Sequence, residues 1–206
     1  MNIKDIIKAA SVIPVLEVAA LKDAAPLARA LSAGGLRVVE LTLRTDCALD
    51  ALKAMQDAAP DLLVGMGTVR TAADVSASVA SGAAFLVSPG ASVELLKALA
   101  ESGAPSLPGV ATASEAMTAA ELGFAAQKFF PAEPAGGVAY LKALAGPLPD
   151  IVFCPTGSIS AEKAPEYLAL PNVACVGGSW IATKRMIAGS DWSTVEANAR
   201  RAAAMK

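Results

Sequence analysis

One lysine, Lys128, stands inside the largely apolar run AAQKFFPAE, residues 125–133, which reads as a buried strand. Side chains alternate across a strand, so Lys128 shares a face with Ala126 and Phe130, while Gln127 and Phe129 point the other way. If Phe129 packs against helices, Lys128 projects into the interior. An amine desolvated among Phe and Ala side chains loses basicity, and its larger neutral fraction makes it a nucleophile suited to imine formation with a ketone. A carboxylate close by suits the proton transfers that imine chemistry requires. The run VVELTLRT, residues 38–45, offers one: Glu40, Thr42 and Arg44 share a face, and Val39, Leu41 and Leu43 share the other. The apolar set belongs under the helices, which leaves Glu40 and Arg44 in the interior or its mouth, where an isolated charge is unfavourable. Glu40 and Lys128 can then approach each other. The alternative for Glu40 and Arg44 is an internal ion-pair network that only supports the fold.

Bringing distant groups together needs a repeated framework, and the chain has one. Short β-rich runs start at residues 12, 37, 62, 84, 105, 125, 151 and 173, so consecutive starts lie 20 to 26 residues apart, with alanine-rich helical stretches between. That spacing fits a strand, a loop and a crossover helix. Eight such units predict parallel strands, right-handed crossovers and closure into a (β/α)8 TIM barrel. One compact domain over residues 1–206 is expected, with a short N-terminal helix before the first strand. An open doubly wound sheet is the competing architecture. No G-x-G-x-x-G follows the first strand, however, and Ala33-Gly34-Gly35 comes where a helix ends.

The functional face of such a barrel is the carboxyl end of its strands. Thr68 ends GMGT there, and Pro89 and Gly90 follow the fourth strand. The last two strands lead into PTGS and VGGSW, and glycine-rich loops at these positions commonly hold a phosphate through backbone N–H groups. Thr156, Gly157, Ser158, Gly178 and Ser179 are therefore phosphate candidates. The alternative is that the glycines only permit tight turns.

Composition excludes several other chemistries. The chain of 206 residues contains no histidine, which removes Ser-His-Asp and Cys-His catalysis, imidazole shuttles and histidine metal sites. A formal charge of −2 with dispersed Lys and Arg argues against a nucleic-acid partner. Lys4, Asp5 and Lys8 interrupt any signal-peptide core, and the longest uncharged run, residues 75–93, is broken by Gly82, Pro89 and Gly90, so neither export nor a membrane span is expected. The expectation is a cytoplasmic protein. Cys47, Cys154 and Cys175 fit free thiols used as core filler.

The motifs VVELTLRT, GMGT, LVSPG, KFFPAE, CPTGSI and GGSW, in this order and spacing, resemble the class I 2-keto-3-deoxy-6-phosphogluconate (KDPG) aldolases, some of which also cleave 4-hydroxy-2-oxoglutarate. The resemblance covers residues 12–180. It implies that Lys128 is the Schiff-base lysine, Glu40 the general acid/base and Arg44 the group that holds the pyruvyl carboxylate. Thr68 matches a second carboxylate contact, and Pro89 and Phe130 match walls of the pyruvyl pocket. Thr156, Gly157, Gly178 and Ser179 fall on the family's phosphate loops. The resemblance also implies a homotrimer with no metal or other cofactor, and the lack of histidine agrees, because the zinc-dependent aldolases generally rely on histidine ligands.

Three positions depart from the family pattern. Ser158 replaces a glycine of TGGI and adds either a hydroxyl donor or bulk to the phosphate loop. Met66 replaces a usual alanine. Glu17, at the end of the first strand, stands where relatives carry an apolar residue or arginine. It is either a solvated rim glutamate or a second carboxylate at the mouth that raises the pKa of Glu40 or alters aldehyde preference. The expected reaction is reversible cleavage of KDPG into pyruvate and glyceraldehyde 3-phosphate. One alternative is the same chemistry on 4-hydroxy-2-oxoglutarate or another unphosphorylated or galactonate-derived 2-keto-4-hydroxy acid. Another is a non-catalytic sugar-phosphate binding barrel, in which Lys128 and Glu40 are only an ion pair.

Overall fold

Each β-rich run forms a strand shorter than the run that encodes it. The computed structural model describes residues 2–205. Its strands are β1 (Val12–Leu16), β2 (Val38–Thr42), β3 (Leu63–Gly67), β4 (Leu86–Val87), β5 (Ser106–Leu107), β6 (Gly109–Val110), β7 (Ala126–Phe129), β8 (Val152–Pro155) and β9 (Val176–Gly178). The helices are α1 (Ile3–Lys8), α2 (Ala24–Ala33), α3 (Ala48–Ala58), α4 (Ala72–Ala80), α5 (Val93–Glu101), α6 (Ala113–Glu121), α7 (Gly137–Leu144), α8 (Ala164–Leu168), α9 (Lys184–Ala188) and α10 (Trp192–Ala203). None of them is long and apolar enough to cross a membrane.

Local sequence sets where several helices begin. The hydroxyls of Thr71 and Thr112 accept from the N–H groups of Asp74 and Glu115, whose carboxylates reach back to the cap backbone and complete capping boxes on α4 and α6. Ser92 and Thr183 cap α5 and α9 in the simpler way. These caps start the helices directly after the carboxyl ends of the strands, which keeps the loops at that end short.

All strand pairing is parallel. One sheet runs β5-β4-β3-β2-β1-β9 and a second runs β6-β7-β8. The run PSLPGV, expected as a single fifth strand, is split into β5 and β6 by Pro108, which has no N–H to give to a ladder. The carbonyl of Pro108 still accepts from the N–H of Lys128 at 2.9 Å. Ser88 Oγ, from the loop after β4, accepts from the N–H of Gly109 at 3.0 Å. The two pieces therefore pair with different neighbours and link the sheets along the chain. At the other side, Thr156 after β8 bridges to Gly177 in β9.

Strand parity divides the apolar residues into two cores. Val39, Leu41, Phe129 and Phe153 pack with the helices in the outer core. Ile13, Val38, Phe85, Val87, Leu107 and Ala126 form an inner cluster with Ile6 and Ile7 of α1, so the N-terminal helix packs onto the strand interior. Phe129 points outward and stacks on Tyr140 of α7 at 5.6 Å between ring centroids, with Phe153 edge-on at 6.3 Å. Burial of such a side chain contributes about 1.5–3 kcal/mol. Gln127, on the same outward face, is buried and donates to the carbonyls of Ala116 and Phe124, both at 2.8 Å. Cys154 and Cys175 lie in the inner cluster, and Cys47 is half-buried; all three are free thiols.

Candidate active site

Lys128 is held in the interior by backbone register with Gly109 on one side and Cys154 on the other. Glu40 lies in register with Val15 and Gly65. The two side chains meet in the interior. Lys128 Nζ donates to Glu40 Oε1 at 2.9 Å and to Oε2 at 3.0 Å, and the residues are only 5% and 4% exposed. An ion pair so deep is tolerated only when geometry compensates for lost hydration, and the double contact provides that. Gly67 makes the room: a Cβ there would lie 2.2 Å from Glu40 Oε1. On the solvent side, the Phe130 ring centroid lies 5.5 Å from Nζ, within cation–π range.

Arg44, two residues past β2, reaches over the same opening. Its Nε donates to Thr68 Oγ1 at 3.1 Å. Thr68 has φ of 61°, a left-handed conformation that is unusual for a β-branched residue and that clusters at ligand sites. Glu17, just past β1, lies at this mouth but is engaged by cations: its Oε1 lies 2.6 Å from Lys184 Nζ in an ion pair, and its Oε2 lies 3.9 Å from Arg44 Nη1.

The loop after β8 is bent by two left-handed residues, Gly157 at φ 114° and Ser158 at φ 59°. Its carbonyls are tied down, because the N–H groups of Ala132 and Glu133 donate to Thr156 and Gly157 at 2.8 and 3.3 Å. The Glu133 carboxylate is in turn gripped by Lys163 and by the hydroxyl of Tyr167, the latter at 2.5 Å. The ammonium of Lys163, and then the Tyr167 hydroxyl, hold the Glu133 carboxyl below the usual carboxylate range. Burial, and then the Glu133 contact, push the Tyr167 phenol well up. This anchor under the loop was not singled out in the sequence; the only sign of it there is the glutamate that closes KFFPAE.

These groups converge on a cavity of about 310 Å³, lined by Lys128, Arg44, Thr68, Pro89, Phe130, Thr156, Gly157, Ser158 and Ser179. Glu40 lies beneath it, against Lys128. Gly178 does not line it. Its absent side chain points at Trp180, whose ring would lie 2.0 Å from a Cβ, and Gly177 faces inward beside Thr156 instead. The reason is parity along β9. Val15, Pro131 and Ile159 also line the cavity and were not singled out from the sequence. Chemically, the cavity offers a buried amine with a carboxylate on it, an arginine and a hydroxyl at one side, and a glycine-bent loop with hydroxyls at the other.

Known proteins resemble this chain over nearly its whole length. The family model described as "KDPG and KHG aldolase" matches residues 3–198. A 2-dehydro-3-deoxy-phosphogluconate aldolase from Pseudoalteromonas atlantica is 46% identical over 201 residues, covering 98% of this chain and 94% of that protein. The crystal structure of KDPG aldolase from Legionella pneumophila, with pyruvate captured as a covalent carbinolamine, superposes with a TM-score of 0.96 at 45% identity and 99% coverage of both chains. That of the Zymomonas mobilis enzyme with 3-phosphoglycerate has a TM-score of 0.94 at 43% identity, covering 100% of this chain and 96% of the other. The chain belongs to the KDPG and KHG aldolase family.

Proposed function

We propose that the chain reversibly cleaves 2-keto-3-deoxy-6-phosphogluconate into pyruvate and glyceraldehyde 3-phosphate through a Schiff base on Lys128. The observation that carries this reading is the buried Lys128 amine bonded to both oxygens of Glu40 under an open cavity. Glu40 accepts a proton from the ammonium, and the amine adds to the C2 ketone, one of its own protons passing through a water molecule to the ketone oxygen to give the neutral carbinolamine. Glu40, through a water molecule, then protonates the carbinolamine hydroxyl, and water leaves to form the iminium. The same carboxylate takes the proton of the C4 hydroxyl. The C3–C4 bond breaks, its electrons pass into the iminium, and the aldehyde departs. The protonated Glu40 returns its proton to the resulting enamine at C3, and hydrolysis of the iminium so formed releases pyruvate and restores the amine. Every proton and electron pair is accounted for with the chain and water alone.

Arg44 and Thr68 hold the C1 carboxylate, which sets the ketone over Nζ. Pro89 and Phe130 enclose the pyruvyl group. The loop of Thr156, Gly157 and Ser158, with Ser179 opposite, takes the distal phosphate; the phosphoglycerate complex of the Zymomonas mobilis enzyme supports a phosphorylated ligand. The double name of the family supports 4-hydroxy-2-oxoglutarate as a second substrate, with its distal carboxylate on the same loop.

The reading includes the architecture. The two sheets, continuous at Pro108 and bridged between Thr156 and Gly177, form one closed (β/α)8 barrel in a single domain. A homotrimer, implied by the family resemblance, and a cytoplasmic location, expected from the sequence, complete it. The functional test is pyruvate release from the phosphorylated and unphosphorylated substrates, followed side by side. Release from neither would defeat the reading.

A further inference from the structure

We infer that Glu17 and Lys184 form a clasp that positions Arg44, and so sets how tightly the site holds the carboxylate of the 2-oxo acid. This rests on the aldolase reading above. The three residues come from adjacent parts of the mouth: Glu17 follows β1, Arg44 follows β2, and Lys184 opens α9 after β9. They line a side cavity of about 280 Å³, which shares Val15, Arg44 and Ser179 with the main cavity. Glu17 is the most enclosed of the three, with its side chain 19% exposed against 47% for Arg44 and 76% for Lys184.

The charges explain the arrangement. Inside the main cavity, Lys128 is matched by Glu40, one cation to one anion. At the side, Arg44 and Lys184 share the single carboxylate of Glu17, so the mouth keeps an unmatched positive charge for a substrate anion. Lys184 pins Glu17 at 2.6 Å, and Glu17 in turn lies 3.9 Å from Nη1 of Arg44. The Nε edge of Arg44 is already bound to Thr68 at 3.1 Å. The guanidinium is therefore bonded at Nε and drawn at Nη1 by a charge contact too long for a hydrogen bond, and among the described residues Nη2 has no partner. A planar fork fixed in this way recognises a carboxylate with less loss of side-chain freedom than a mobile one. Glu17 acts through Arg44 and is a positioning residue.

Glu17→Gln removes the charge and keeps the volume, leaving Arg44 and Lys184 as two cations with no anion between them. The expected result is a KM for pyruvate, in the aldol direction, raised about two- to fivefold, with kcat within about twofold, the size expected when a partly exposed charge contact is lost. Lys184→Met unpins Glu17 and raises KM in the same direction. In an Arg44→Lys background, Glu17→Gln adds no further increase, because the group it positions is gone. An unchanged or lowered KM, or the same increase in the Arg44→Lys background, overturns the clasp. Borohydride trapping with pyruvate on the unsubstituted chain separates the two levels of failure. If trapping occurs and KM does not respond, only the clasp falls. If the chain neither traps pyruvate nor cleaves substrate, the aldolase reading falls and the clasp with it.

Discussion

Lys128 Nζ lies 2.9 and 3.0 Å from the two carboxylate oxygens of Glu40, although the residues are 88 positions apart in the chain. Parallel register brings them together, and burial leaves each with the other as its charged partner. In the proposed mechanism this contact is the route by which protons leave and return to the reacting amine.

Replacing Glu40 by Gln keeps the volume and removes the acceptor. Turnover is expected to fall by about two to four orders of magnitude, the usual range for loss of a positioned acid/base. Steady-state kinetics with KDPG measures this. A variant within about threefold of the unsubstituted rate would assign the proton transfers elsewhere.

Phe129 and Phe130 are adjacent, yet parity gives them opposite tasks. Phe129 is 1% exposed among Tyr140 and Phe153, so Phe129→Ala is expected to cost about 3–5 kcal/mol in urea unfolding. Phe130 borders the cavity, so Phe130→Ala is expected to lose far less stability but to impair turnover. Equal losses of stability would contradict the assignment of faces.

Ser158 holds a left-handed backbone at φ 59°. Ser158→Gly removes the steric penalty of that conformation and is expected to stabilise the fold by about 1 kcal/mol, partly offset by the greater freedom of glycine in the unfolded chain. If its hydroxyl serves the distal phosphate, the same variant raises KM for the phosphorylated substrate. A lower KM would show that Ser158 crowds the loop instead.

How far the sequence could be read depended on the kind of interaction. Alternation within one strand separated Glu40 from Val39 and Lys128 from Phe129, because the apolar partners on each side leave a period in the residues themselves. The break at Pro108 was less visible, since the effect of a missing N–H depends on which neighbouring strands compete for the ladder. That Gly177 rather than Gly178 lines the cavity has a similar origin: β9 begins at Val176, and two neighbouring glycines carry no side chain to reveal parity. Lys184 and Lys163 lie in helical stretches where any lysine reads as a solvated charge. Their roles come only from Glu17 and Glu133, distant in the chain and adjacent in space.

The anchor at Glu133 has a signature in acid. Its carboxyl is held below the ordinary value of 4.5, chiefly by Lys163 and then by Tyr167. A depressed folded value means that the stabilisation is fully present above the unfolded value and is lost as pH falls through the folded one. Urea unfolding as a function of pH should therefore show a decline below about pH 4.5 that is shallower in Glu133→Gln than in the unsubstituted chain. Identical slopes would remove Glu133 as a source of acid sensitivity.

The central claim is a covalent bond between Lys128 and pyruvate. Incubation with pyruvate and borohydride, followed by digestion and mass spectrometry, should give one reduced pyruvate adduct, on the peptide that contains Lys128. Lys128→Met should abolish it. No adduct in the unsubstituted chain, or an adduct that survives Lys128→Met, would contradict the account.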